Sequence, residues 1–162
     1  MVKKLFYTGV GSRVTPKAIL ETMTLIAIKL SKSGYILRSG GAIGADQAFE
    51  RGSALHHIFH ARDANMAAMA IAGGLHPAWD RCSQYAKRLH GRNAFQVLGL
   101  ELDQPSKFLI CWTPDGCESH ASRTYETGGT GTAISIASEH GVPVFNLANQ
   151  ITLKRLEKFL DK

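Results

Sequence analysis

Apolar runs of strand length alternate along this chain with stretches of helical period, and turns rich in glycine sit at the junctions. The runs are Leu5–Gly9, Tyr35–Arg38, Phe108–Trp112 and Val142–Leu147. After the first, Ile19, Met23, Ile26, Ala27 and Leu30 recur at helical spacing, which predicts an amphipathic helix over 16–33. Pro16 suits its first turn and Gly34 its end. Further helices are predicted over 45–55, over the alanine- and methionine-rich 64–72 until Gly73 and Gly74 break it, from Pro77 onward, over 92–102, over 133–140 and over 151–161. The segment His56–His60 reads as a short strand or a loop, and 113–126 as a mobile polar loop. Strands alternating with helices imply an α/β fold, a Rossmann-like three-layer sandwich with a mostly parallel sheet. With 162 residues, no internal repeat and no dividing linker, the expectation is one domain over 1–162.

Ligands of such sheets sit beyond the carboxyl ends of the strands. Three glycine turns are expected there, each directly after a strand. They supply Gly11, Ser12 and Arg13; then Ser39, Gly40, Gly41, Gly44 and Asp46; then Gly128, Gly129, Thr130, Gly131 and Thr132. A strand, a glycine turn and a helix start leave backbone N–H groups free to face an anion, and glycine lets the main chain approach it closely. Arg13 adds a guanidinium fork for a phosphate, and Thr130 and Thr132 add hydroxyls at a helix start. Asp46 either bonds a ribose hydroxyl or caps its helix. Trp112 either stacks on a base or belongs to the core.

A formal charge of +6 and a pI of about 9.4 favour anionic partners. Three cysteines without framework spacing argue against a disulfide-stapled secreted domain. Neither a leader peptide nor a run of membrane-spanning length is expected, so the chain reads as cytoplasmic, with no membrane partner. His56, His57 and His60, or Cys117 with His120, lack the spacing of a structural zinc site, so no metal is expected. Cys111 reads as a small buried hydrophobe. Lys154, Arg155, Lys158 and Lys162 read as a solvated helix face before a DNA-binding one.

The motifs fit neither the dinucleotide fingerprint nor a P-loop: Gly9-Val10-Gly11 continues as Ser12-Arg13-Val14, and the P-loop lysine pattern is missing. The chain instead resembles the superfamily that unites DNA-processing protein A (DprA), the LONELY GUY phosphoribohydrolases and the SLOG ligand sensors. Gly11-Ser12-Arg13 looks like its opening phosphate loop. Ser39 to Asp46 is similar to the DprA signature S-G-x-A-x-G-[IA]-D, and Gly128 to Thr132 resembles the hydrolase turn G-G-x-G-T. Leu89-His90-Gly91-Arg92-Asn93 is similar to the hydrolase segment M-H-x-R-K, which marks Arg92 and Asn93 as ligand-binding candidates. The resemblance is patchy from 56 to 88, and the chain resembles small stand-alone phage-type versions.

The hydrolase glutamate is replaced by Ser135, which cannot supply a carboxylate during N-glycosidic cleavage. That favours binding over hydrolysis and leaves Arg92, Glu126 and Asp46 as weak catalytic candidates, with Glu118 in the loop another substitute acid. The resemblance thus implies a nucleotide- or single-stranded-DNA-binding protein, without a cofactor. Its alternatives are a LONELY GUY-like nucleoside monophosphate phosphoribohydrolase and a sensor or sponge for a nucleotide-derived signal. A homo-oligomer is expected, with the helix carrying Met66 and Met69 as a candidate interface.

Overall fold

The structure, a computed structural model, describes residues 3–162; Met1 and Val2 lie outside the described residues. Five strands, β1 (Leu5–Gly9), β2 (Tyr35–Ser39), β3 (His56–Ile58), β4 (Leu109–Cys111) and β5 (Val144–Asn146), form one parallel sheet in the order β3-β2-β1-β4-β5. Phe6 pairs with Ile36 and Tyr7 with Leu37, Gly9 with Ile110, and Ile110 with Phe145. The chain builds outward from β1 through β2 to β3, then returns to the other side of β1 for β4 and β5. The β1/β4 boundary is therefore the topological switch point, where sheets of this kind open a crevice.

Six helices cover the two faces: α1 (Lys17–Lys32), α2 (Ala45–Gly52), α3 (Met66–Leu75), α4 (Gln84–Leu98), α5 (Thr130–Glu139) and α6 (Thr152–Leu160). Met23, Ala27 and Leu30 of α1, Ala48 and Phe49 of α2 and Leu156 of α6 pack with Tyr7, Leu37, Ile110 and Phe145. On the opposite face Ala68 of α3, Phe95 and Leu98 of α4 and Ile134 and Ala137 of α5 pack with Leu109, Cys111 and Val144. Successive strand residues point to opposite faces, and β4 shows it: Leu109 and Cys111 serve one core, Ile110 the other. This is the expected three-layer α/β sandwich. Among the described residues, no helix is long and apolar enough to cross a membrane.

Several boundaries differ from the sequence reading. Gly73 and Gly74 do not end α3 but lie within it. A Cβ on Gly73 would sit 2.9 Å from the Trp79 indole, so this glycine makes room for the ring instead of breaking the helix. Pro77 starts no regular α-helix: α4 begins at Gln84, where the Ser83 side chain accepts the Ala86 N–H. The helix predicted over 92–102 is the second half of α4, which stops at Leu98 because Gly99 turns to φ 82°. Helix α2 ends at Gly52, three residues short of its predicted end, and α5 starts at Thr130, three before its predicted start.

The 113–126 segment is pinned, not loose. Asp115 accepts hydrogen bonds from the hydroxyls of Thr113, Thr124 and Thr127 and from the Cys117 N–H. Burial pushes its pKa up, but those bonds outweigh it and hold the carboxyl at about 2. Glu118 bonds the Asn146 N–H and pairs with Arg155 at 2.8 Å, which fastens the segment to β5 and α6. The third glycine turn is thus separated from β4 by this pinned segment, and does not follow the strand directly.

Candidate functional site

At the switch point the turns after β1 and β2 and the start of α5 open onto one cleft of about 1120 Å³, floored by α4. The segments that reach it are in close contact. A Cβ on Gly11 would lie 2.5 Å from the Ala45 Cβ, so the first turn rests directly on the start of α2. Gly44, at φ 101°, aims the chain into that helix with a geometry that side-chain-bearing residues rarely adopt. On the far side Thr132 of α5 shares a 2.8 Å hydrogen bond with His90 Nδ1 of α4.

Of the residues expected to bind, Gly11, Ser12, Arg13, Gly40, Gly41, Gly44, Asp46, Arg92, Asn93, Gly128, Gly129 and Thr130 border the cleft. Ser39, Gly131 and Thr132 do not. Ser39 is buried, and its hydroxyl donates to Glu50 (2.6 Å) and accepts the Gly41 N–H (3.3 Å), so it shapes the turn from beneath. Gly131 is closed off by the Arg123 side chain, and the Thr132 hydroxyl is held by His90 and Arg123. Trp112 packs against the apolar core and Arg155 pairs with Glu118, so neither borders the cleft.

The main-chain donors are partly free. The N–H groups of Gly11, Gly44, Gly129 and Thr130 have no partner among the described residues. Two of these four lie at the N-terminus of α5, and Gly44 precedes α2, so both helix dipoles put positive potential at the cleft. In the second turn, by contrast, Gly41 and Ala42 already donate to Ser39 Oγ and Asp46 Oδ2. That turn contributes less than its glycine count suggests.

Arg92 and Asp46 form the charged centre. Arg92 donates through Nη1 to the Gly40 carbonyl at 2.8 Å, and its buried Nε has no partner among the described residues. A Cβ on Gly40 would come within 2.7 Å of the Arg92 guanidinium and 2.9 Å of the Asp46 carboxylate, so only glycine leaves both where they are. Burial pushes the Asp46 pKa up to about 6, against the lowering effects of the Ala42 N–H and Arg92. Burial also lowers that of Arg92, while Asp46 raises it.

Ser135 and the acids named in the sequence lie at different distances from the cleft. Ser135 is fully buried, bonded to His120 Nδ1 (2.8 Å) and Arg123 (3.3 Å), behind the cleft wall. Glu126 is exposed and Glu118 is bound to Arg155; neither borders the cleft. Asp46 alone of the named acids does.

Other residues at the cleft escaped the sequence reading: His60, Tyr85, Leu89, His90 and Gln96. Four lie on α4, where Tyr85, Leu89, Arg92 or Asn93, and Gln96 recur every three to four residues. That spacing defines one helix face and was the available signal. A second cluster, His76, Cys82 and His90, also joins residues that spacing alone kept apart. No family model matches the chain, and neither a curated protein nor a solved structure matches it.

Proposed function

We propose that this protein holds nucleotide phosphates, chiefly those of single-stranded DNA, on the glycine turns of the switch-point cleft. The carrying observation is the conjunction in one cleft of main-chain N–H groups from all three turns and an Arg92 Nε, all without a partner among the described residues. A buried donor without a partner is costly, and a phosphate oxygen meets that need. The formal charge of +6 and the DprA-like order of the motifs support a polyanion over a lone nucleotide. Binding of labelled single-stranded oligonucleotide, followed by anisotropy, should weaken with salt with a log–log slope of about −2 for three phosphates engaged. A flat response, with saturable binding of a mononucleotide, would move the assignment to a small nucleotide and to the sensor reading.

Asp46 adds a pH dependence of definite sign. Its folded pKa of about 6 lies above its ordinary value, so the carboxyl is neutral at pH 5 and charged at pH 7.5. Phosphodiester affinity should therefore fall as pH rises through 6, by about threefold to tenfold for one nearby like charge. Asp46→Asn keeps the acceptor for the Ala42 N–H and should bind tighter than wild type at pH 7.5. For stability the raised pKa means the native state holds the proton more tightly. The Asp46 contribution to stability is then greatest below its unfolded pKa and is lost as pH rises through 6.

One observation favours a second reading, N-glycoside hydrolysis: a carboxyl poised near pH 6 inside the cleft suits general acid–base work. Nucleoside monophosphates incubated with the protein would then release free base and ribose phosphate, and Asp46→Asn would abolish the release. Absence of any turnover removes this reading and leaves binding intact.

A further inference from the structure

Beside the cleft, three metal-binding side chains come together from separate parts of the chain. His76 follows the end of α3, Cys82 follows a short helical turn over 79–81, and His90 lies on α4. The His76 and His90 rings are 4.4 Å apart between centroids. Cys82 Sγ lies 3.8 Å from His76 Nε2, and one ligand atom from each of the three falls within 4.8 Å of the others. Zinc bonds of about 2.3 Å to sulfur and 2.0–2.1 Å to nitrogen place tetrahedral neighbours about 3.3–3.7 Å apart. The Cys82–His76 pair is within a few tenths of an ångström of that spacing, and His90 needs a side-chain adjustment of about an ångström.

We propose that His76, Cys82 and His90 bind a zinc-class divalent cation, with the fourth coordination position left to water or to a ligand group entering the cleft that His90 borders. A thiolate and two imidazoles select zinc over magnesium or calcium, which take oxygen ligands. All three side chains are partly buried, which limits competition from solvent. The Thr132 hydroxyl on His90 Nδ1 fixes that ring and leaves Nε2 as its ligating atom, the arrangement that orients histidine ligands elsewhere.

Two features oppose the ion. The Arg123 guanidinium lies near both histidines, and the Cys82 thiolate offsets one unit of that positive charge. His76 Nδ1 accepts the Ala78 N–H at 3.0 Å; ligation through Nε2 moves the ring proton to Nδ1 and gives up that bond. Binding releases the Cys82 thiol proton to solvent. This site does not depend on the phosphate assignment.

The test uses untagged full-length protein, stripped with chelator and titrated with Zn²⁺ against a chromophoric competitor, then with Co²⁺. The expected result is one ion per chain, a Co²⁺ spectrum with thiolate charge-transfer absorption, and a rise in melting temperature on adding Zn²⁺. Cys82 is the partly exposed cysteine, whereas Cys111 and Cys117 are buried, so the thiolate band reports on Cys82. Cys82→Ser should abolish that band, and both it and His76→Gln should weaken Zn²⁺ binding by about tenfold or more. The exposed His56→Gln should leave binding unchanged. Substoichiometric zinc, a Co²⁺ spectrum without the thiolate band, or unchanged affinity in Cys82→Ser would overturn the proposal.

Discussion

Arg92→Ala is expected to weaken oligonucleotide binding by about thirtyfold, the effect of losing about 2 kcal/mol of charge-assisted hydrogen bonding. Its guanidinium joins the cleft floor to the second turn through Gly40, and its Nε carries no internal partner. Losing the side chain therefore removes the one arginine or lysine that α4 brings to the cleft. Arg92→Lys should recover only part of the loss, because an ammonium keeps the charge but lacks the planar fork. Equilibrium titration of the three proteins at fixed salt measures both steps. Thermal melts check that the variants remain folded, since the lost bond to the Gly40 carbonyl is a single one. Equal affinity in wild type and Arg92→Ala would place the phosphates elsewhere.

Gly52→Ala should lower the unfolding free energy by about 3 kcal/mol, the upper part of the usual range for overpacking. Gly52 closes α2 where it crosses α1, and the added methyl would press on the Thr24 carbonyl, the Ala27 Cβ at 2.8 Å and the Ile28 nitrogen at 3.0 Å. Two of those three atoms are main chain and cannot turn aside as a side chain would. The same crossing is held by the Thr24 hydroxyl, which donates to the Ala48 carbonyl at 2.7 Å. Gly74→Ala is the control: nothing lies within 4 Å of its added Cβ, and it sits inside α3. There alanine should stabilise by up to about 1 kcal/mol through helix propensity. Urea denaturation of both variants, with unchanged m-values, reads the difference.

The parts of the fold legible in the sequence are those fixed by local pattern. Continuous apolar runs marked β1, β2, β4 and β5 because both faces of a parallel sheet are buried here. Helix α1 was legible through its single apolar stripe. The helix bounds within 61–91 were not, because its glycines answer to tertiary contacts: Gly73 to the Trp79 ring and Gly91 to Met69, whose Cγ would lie 2.8 Å from an added Cβ. That contact also takes up Met69, whereas Met66 stays exposed. At the site, glycine turns named most of the lining residues but could not tell a free N–H from one already taken by Ser39 or Asp46. The approach of Asp46 and Arg92 to the same face of Gly40, and the meeting of His76, Cys82 and His90, arise from packing between distant segments, which one-dimensional spacing does not encode.

Amide-resolved NMR of isotope-labelled protein, titrated with an unlabelled single-stranded oligonucleotide, tests the central claim most directly. The largest shifts should fall on Gly11, Gly44, Gly129 and Thr130, with the Arg92 side-chain Nε–H moving alongside them. Shifts confined to the cationic face of α6 around Lys154 and Lys158, with those four amides unmoved at saturation, would contradict the assignment.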